Sequence, residues 1–179
     1  MELLKEKQSE IIGLWRDRIF ESYHPDGRRF FQSEKDRFNN PVGTCIKRET
    51  ETIYSGLLEK KEMSYFVKPM DNFIRIRSVQ DFSASEAINF MYLLKESILE
   101  RCASELNEVA ILNEWMEFEK EVDRLTFLAF DIYMNCREQI NRIRVDEIRK
   151  RSAMLFEKAQ RKSDEDEEKN SNPNDSGVE

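Results

Sequence analysis

Ile74-Arg75-Ile76-Arg77-Ser78-Val79-Gln80-Asp81-Phe82-Ser83-Ala84-Ser85-Glu86-Ala87-Ile88-Asn89-Phe90-Met91-Tyr92-Leu93-Leu94-Lys95 reads as a helix end, a short polar break and a new helix. Ser83 followed three residues later by Glu86 is the reciprocal pattern that satisfies two orphan backbone donors at a helix start. Gln80 and Asp81 stand in the break beside apolar Val79 and Phe82. A break fixed in this way is a rigid corner of a helical domain or a contact site.

Downstream of the corner, Ala87, Met91, Leu94, Ile98 and Cys102 share one face of a helix expected to reach Leu106. Upstream, a helix is predicted from near Pro69, carrying Met70, Phe73, Ile74, Arg75, Ile76 and Arg77. Before it, Asn40-Pro41 supplies an N-cap and a first helical position. That helix is expected to run to Glu62 with Val42, Ile46, Ile53 and Leu57 as its stripe. The first helix is expected over Glu2–Ser22, where Leu4, Ile11, Leu14, Trp15, Ile19 and Phe20 recur at three-and-four spacing. Tyr23-His24-Pro25-Asp26-Gly27 ends it, and Phe30, Phe31 and Phe38 are expected to anchor the following loop.

The last helix is predicted from Val109 to Lys162. Its segment Leu125–Met134 is apolar on nearly every side and suggests the middle of a bundle. Phe118, Val122, Leu125, Ala129, Ile132, Cys136 and Ile143 approximate a heptad seam. Beyond Ile143 the pattern resumes out of phase at Val145, Ile148, Leu155 and Ala159. So narrow a stripe is expected to project and pair with another helix, giving a homodimer. Residues 163–179 hold seven acids and one base and are expected to be disordered. The fold class is therefore all-α: a compact helical bundle over residues 1–150 with a long projecting C-terminal helix (109–162) and an acidic tail.

With 179 residues the chain has the size of one domain, and few glycines and prolines among 36% charged residues argue for long helices. The net charge of −7 is carried mainly by the tail, at −6, which leaves a body of −1 and no basic face for nucleic acid. Cys45, Cys102 and Cys136 are odd in number and lie on apolar stripes, so reduced core thiols are expected. No signal-peptide core or membrane-length apolar run is present, and a cytoplasmic location is expected.

One histidine, His24, in a turn argues against di-iron, zinc, haem and Ser-His-Asp chemistry. No glycine-rich phosphate loop exists. The expectation is no enzyme, no cofactor and no metal site. Asp131 interrupts the apolar run and requires a partner there. One reading is an internal ion pair with Arg75 or Arg77. The other is a polar site in which Arg75, Arg77, Gln80, Asp81, Asp131 and Tyr133 recognise a ligand or partner.

Three segments resemble the N-terminal domain of RsbT co-antagonist proteins of the RsbRD type. They are Phe38-Asn39-Asn40-Pro41-Val42-Gly43, the stretch Ile74–Ala87 quoted above, and Phe130-Asp131-Ile132-Tyr133-Met134-Asn135-Cys136-Arg137-Glu138. Ser78 and Ala84 stand where that pattern more often has Ala and Pro. The resemblance implies a globin-like all-α domain without haem, acting in regulation. It also implies a stand-alone member, since the long helix leads into the acidic tail rather than an output domain, and a link to anaerobic sulfite-reduction electron transfer. The function expected is a non-enzymatic regulatory or adaptor protein working through protein–protein contacts. The rival reading is a small-ligand or redox sensor using the Arg/Asp region or the thiols of Cys102 and Cys136.

Overall fold

The computed structural model describes residues 1–24, 31, 40–80 and 82–171, with side chains through residue 163. Seven helices and no strand occur among them: α1 (Glu2–Glu6), α2 (Gln8–Glu21), α3 (Pro41–Leu58), α4 (Met63–Val79), α5 (Ala84–Ile88), α6 (Phe90–Arg101) and α7 (Val109–Ser171). The all-α expectation holds. The chain divides into a unit Met1–Arg137 and a unit Glu138–Glu179.

In the first unit α2 packs on α6, and α3 on α4. The first expected helix is split at Lys7, yet its stripe of Leu4, Ile11, Trp15, Ile19 and Phe20 is buried as the spacing requires. Trp15 Nε1 donates to the Phe90 carbonyl at 2.6 Å and Tyr54 Oη to the Leu4 carbonyl at 2.9 Å, so two large rings enter the core with their polar atoms satisfied. Asn40 caps α3 through Oδ1, which accepts from Gly43 N at 2.8 Å. The helix ends at Leu58, short of Glu62, because Lys60 turns left-handed (φ 52) while Lys61 N returns to the Gly56 carbonyl at 3.0 Å. A Cβ on Gly56 would lie 2.7 Å from both the Tyr65 and Phe66 rings, so glycine permits this close approach of α3 and α4.

Two further boundaries differ from expectation. α4 begins at Met63 rather than Pro69, and Pro69 lies inside it, buried. Interior proline costs about 3 kcal/mol, and burial of Phe66, Met70, Phe73 and Ile74 outweighs it here. The helix expected from Ser83 to Leu106 is two, α5 and α6, offset at Asn89, and turns begin at Cys102.

The first part of α7 was also misread. Trp115, Phe118, Val122, Leu125, Ala129, Tyr133 and Cys136 form one buried stripe. Phe127 is 71% exposed and Met134 50%, with Phe130 and Asp131 exposed beside them, so the helix covers one side of its unit and is not its centre. Ile132 is half-buried and Ile143 exposed, which ends the expected seam at Cys136. Lys95 of α6 ties α7 down through Glu119 (3.0 Å) and Asp123 (2.6 Å).

In the second unit the helix continues to Ser171, past the expected end at Lys162, and its side chains from Asn141 to Ser163 are exposed. Phe30, Phe38, Asp81 and the last part of the acidic tail, 172–179, lie outside the described residues.

Candidate functional site

α4 stops at Val79, and Gln80 N returns to the Arg77 carbonyl at 3.3 Å. Ser83 then takes extended backbone (φ −64, ψ 165) and opens α5 with the full reciprocal cap. Its N–H donates to Glu86 Oε2 at 2.8 Å and its hydroxyl to the same oxygen at 2.7 Å. These donors hold the Glu86 carboxyl below the usual range. Ser83→Ala is expected to lower stability by about 1 kcal/mol, measured by urea denaturation at neutral pH. A carboxyl with a depressed folded pKa stabilises above its unfolded value and loses that contribution as pH falls through the folded one. The penalty of Ser83→Ala should therefore fade in acid as Glu86 protonates.

Arg77 lies directly behind this cap and is fully buried. Nη1 donates to the Glu86 carbonyl at 2.7 Å and Nη2 to Ser22 Oγ at 2.9 Å, joining the ends of α2, α4 and α5. Four rings surround the guanidinium carbon: Phe82 at 4.9 Å, Phe73 at 5.2 Å, Tyr23 at 5.5 Å and Phe90 at 5.9 Å. Burial pulls the pKa of Arg77 below its ordinary value, opposed by Tyr23 and Glu86. The weakly hydrated, planar guanidinium tolerates such an aromatic enclosure where an ammonium would not. Tyr23 is edge-on to both Phe31 (5.2 Å) and Phe82 (5.4 Å), closing the cage.

The expected Asp131 pair with Arg75 or Arg77 is not formed. Asp131 is exposed on α7, and Arg75 is exposed and bound to Asp71 at 2.6 Å. The physical reason is that Asp131 falls on the outer face of α7, where water solvates it without a partner. Tyr133 is buried and its hydroxyl donates to the Phe82 carbonyl at 2.6 Å, while Arg137 Nη1 donates to the Ser78 carbonyl at 3.2 Å. These two bonds fasten α7 to the corner. Of the expected site residues, then, Arg77 packs on the Phe82 ring and Tyr133 bonds the Phe82 carbonyl, whereas Arg75, Gln80 and Asp131 are on the surface.

The ring cage was not legible in the sequence. Phe73 is one turn before Arg77 and was the available signal; Ser22, Tyr23 and Phe90 are brought in by other helices. A separate cavity of about 590 Å³ lies between the end of α3, the start of α4 and α7, floored by Leu57, Phe66, Phe118 and Leu125. None of the expected site residues lines it.

All three cysteines are free and buried. Burial pushes the Cys45 thiol up to about 11, Glu49 acting in the same sense, and burial also raises Cys102. A thiol reagent near pH 8 should modify Cys45 roughly a hundredfold more slowly in the native chain than in the unfolded one; equal rates would show the packing of α3 on α4 to be open. Among the described residues no group of three His, Cys, Asp or Glu is placed to hold a metal, and no helix is long and apolar enough to cross a membrane.

The family model described as the RsbT co-antagonist protein rsbRD N-terminal domain matches residues 9–148. No curated protein and no solved structure matches the chain.

Proposed function

Because the chain belongs to the RsbT co-antagonist rsbRD N-terminal domain family, we propose that it is a cytoplasmic, non-catalytic regulatory module that acts by protein–protein contact through α7. The observation carrying this reading is the set of large apolar side chains that α7 leaves in solvent. In the first unit Phe127, Phe130 and Met134 recur at three-and-four spacing on its outer face. Scattered exposed apolar residues need no explanation, but a contiguous patch of this kind marks an interaction surface.

The occupant of this patch is a second copy of the chain. Asp131, Arg124 and Arg137 border it, so both signs of charge are present and a two-fold pairing can oppose unlike charges. Asp131 is then a contact residue at the rim, and Arg75 and Gln80 are surface residues of the corner open to a regulatory partner.

The second unit has a different chemistry. Ile148 and Leu155 are exposed, the latter by 68%, on a seam with Val145, Ser152 and Ala159. Arg142, Arg144, Arg149, Arg151 and Lys158 flank that seam. Self-pairing would set like charges against each other at the flanking positions. Residues 138–162 carry eight bases against four acids, a net +4, which suits a partner helix with acidic flanks.

Light scattering of the full chain at tens of micromolar tests the self-pairing. A dimer mass is expected, and a strict monomer would remove it. A link to anaerobic sulfite-reduction electron transfer is supported by the family resemblance alone and by no residue of the fold.

A further inference from the structure

The cavity between the end of α3, the start of α4 and α7 lies within the first unit. Its floor of Leu57, Phe66, Phe118 and Leu125 belongs to the buried core, and about 590 Å³ is the size that takes a small organic molecule. Both signs of charge line its mouth, on different elements: Lys60 and Lys61 on the turn after α3, Glu117 and Glu121 on α7. The Glu117 carboxyl is held below its usual range by the hydrogen bond from Lys120 and, in smaller measure, by Lys60. Lys60 is thus near enough to act on Glu117, yet among the described residues it makes no ion pair, whereas Lys61 is bound to Glu59 at 3.0 Å. Lys60 is also the only described residue other than glycine with left-handed backbone (φ 52), a conformation that costs a lysine more than a glycine.

We propose that this cavity is a binding site for a free α-amino acid with an aromatic or large aliphatic side chain. An apolar floor beneath opposite charges that do not touch matches a molecule with an apolar body and both charges on neighbouring atoms. The side chain covers Phe66, Phe118 and Leu125. The carboxylate meets the Lys60 ammonium beside the start of α4, where the N-cap residue Glu62 makes no side-chain bond to the first amides. The ammonium meets Glu117 and Glu121, whose present partners Lys120 and Arg124 are exposed, so that sharing these carboxylates costs little. An acid without the amine sets its charge against the glutamates, and an amine without the acid meets the lysines unopposed. The bound molecule would join the turn after α3 to α7. The site goes beyond the contact function proposed above and does not rest on it.

The test is thermal unfolding of the full chain near neutral pH with L-phenylalanine, 3-phenylpropanoate and phenethylamine, each against equimolar glycine. Glycine carries both charges without a side chain and so corrects for the general stabilisation that excluded solutes give. A saturable rise in Tm over glycine is expected with L-phenylalanine, half-maximal at roughly 1 mM. The acid lacking the amine and the amine lacking the acid should each bind at least about tenfold more weakly. Lys60→Gly relieves the left-handed backbone, so it is expected to raise Tm without ligand while weakening L-phenylalanine at least about tenfold. Loss of binding in a chain made more stable is not misfolding. Glu117→Gln, at an exposed position, should weaken the ligand in the same way. No saturable rise over glycine, equal binding of 3-phenylpropanoate or phenethylamine, or undiminished binding in Lys60→Gly would each overturn the site. The dimer mass measured by light scattering is a separate readout, so failure here leaves the contact function standing.

Discussion

Arg77→Ala is expected to lower the stability of the first unit by about 3–5 kcal/mol. Truncation empties the space between four rings and leaves the Glu86 carbonyl and Ser22 hydroxyl without their donor. The relief of desolvating a cation offsets part of this and does not cancel it, since the rings cannot collapse onto a methyl group. Arg77→Met keeps most of the volume and should lose clearly less. Arg77→Lys keeps the charge, but one ammonium cannot both stack on the rings and bridge the ends of α2 and α5. Denaturant titrations of the three variants give the order Ala worst, and a loss below about 1 kcal/mol for Ala would mean the cage contributes nothing to folding.

The second large effect is on association. If the chain self-associates as proposed, aspartate at both Phe127 and Met134 is expected to convert that dimer to a monomer, weakening self-association by at least about 100-fold. Both side chains are exposed on α7, so at concentrations low enough for both chains to be monomeric the double variant should unfold at nearly the wild-type temperature. Arg144→Glu with Arg151→Glu, in the second unit, serves as the contrast. It reverses charge beside the Ile148 and Leu155 seam and should leave the dimer mass unchanged while abolishing capture by an acidic helical partner. A dimer that survives aspartate at Phe127 and Met134 would place the self-contact elsewhere.

The two experiments address different levels of the same arrangement. Arg77 holds the corner together from inside, and Tyr133 and Arg137 fasten the corner to α7. The same helix carries Phe127 and Met134 on its outer face. Tyr133→Phe removes the bond to the Phe82 carbonyl with little change in volume, so it tests whether the corner and that face are coupled.

The elements whose signals are local were legible in the residues. The Ser83–Glu86 cap, the Asn40–Pro41 helix start and the Trp15, Ile19 and Ile53 stripes depend on neighbours within one or two turns, and they stand where their spacing put them. Misreadings arose where a helix meets something remote. Pro69 reads as a helix start because the burial that overrides its cost comes from a facing helix. Asp131 reads as an internal ion pair or a member of a polar site because the residues around it are apolar on every side, and a sequence does not say which of those sides faces water.

What the sequence alone determined is an all-helical chain with its caps and its buried stripes, because each follows from short-range backbone and side-chain chemistry. Tertiary structure alone decided that Arg77 is enclosed by Tyr23, Phe73, Phe82 and Phe90 and that Phe127 and Met134 are left outside. Those outcomes depend on which helix faces are brought together across long stretches of chain, and only the packing fixes which arginine is shut away from water and which phenylalanine is not.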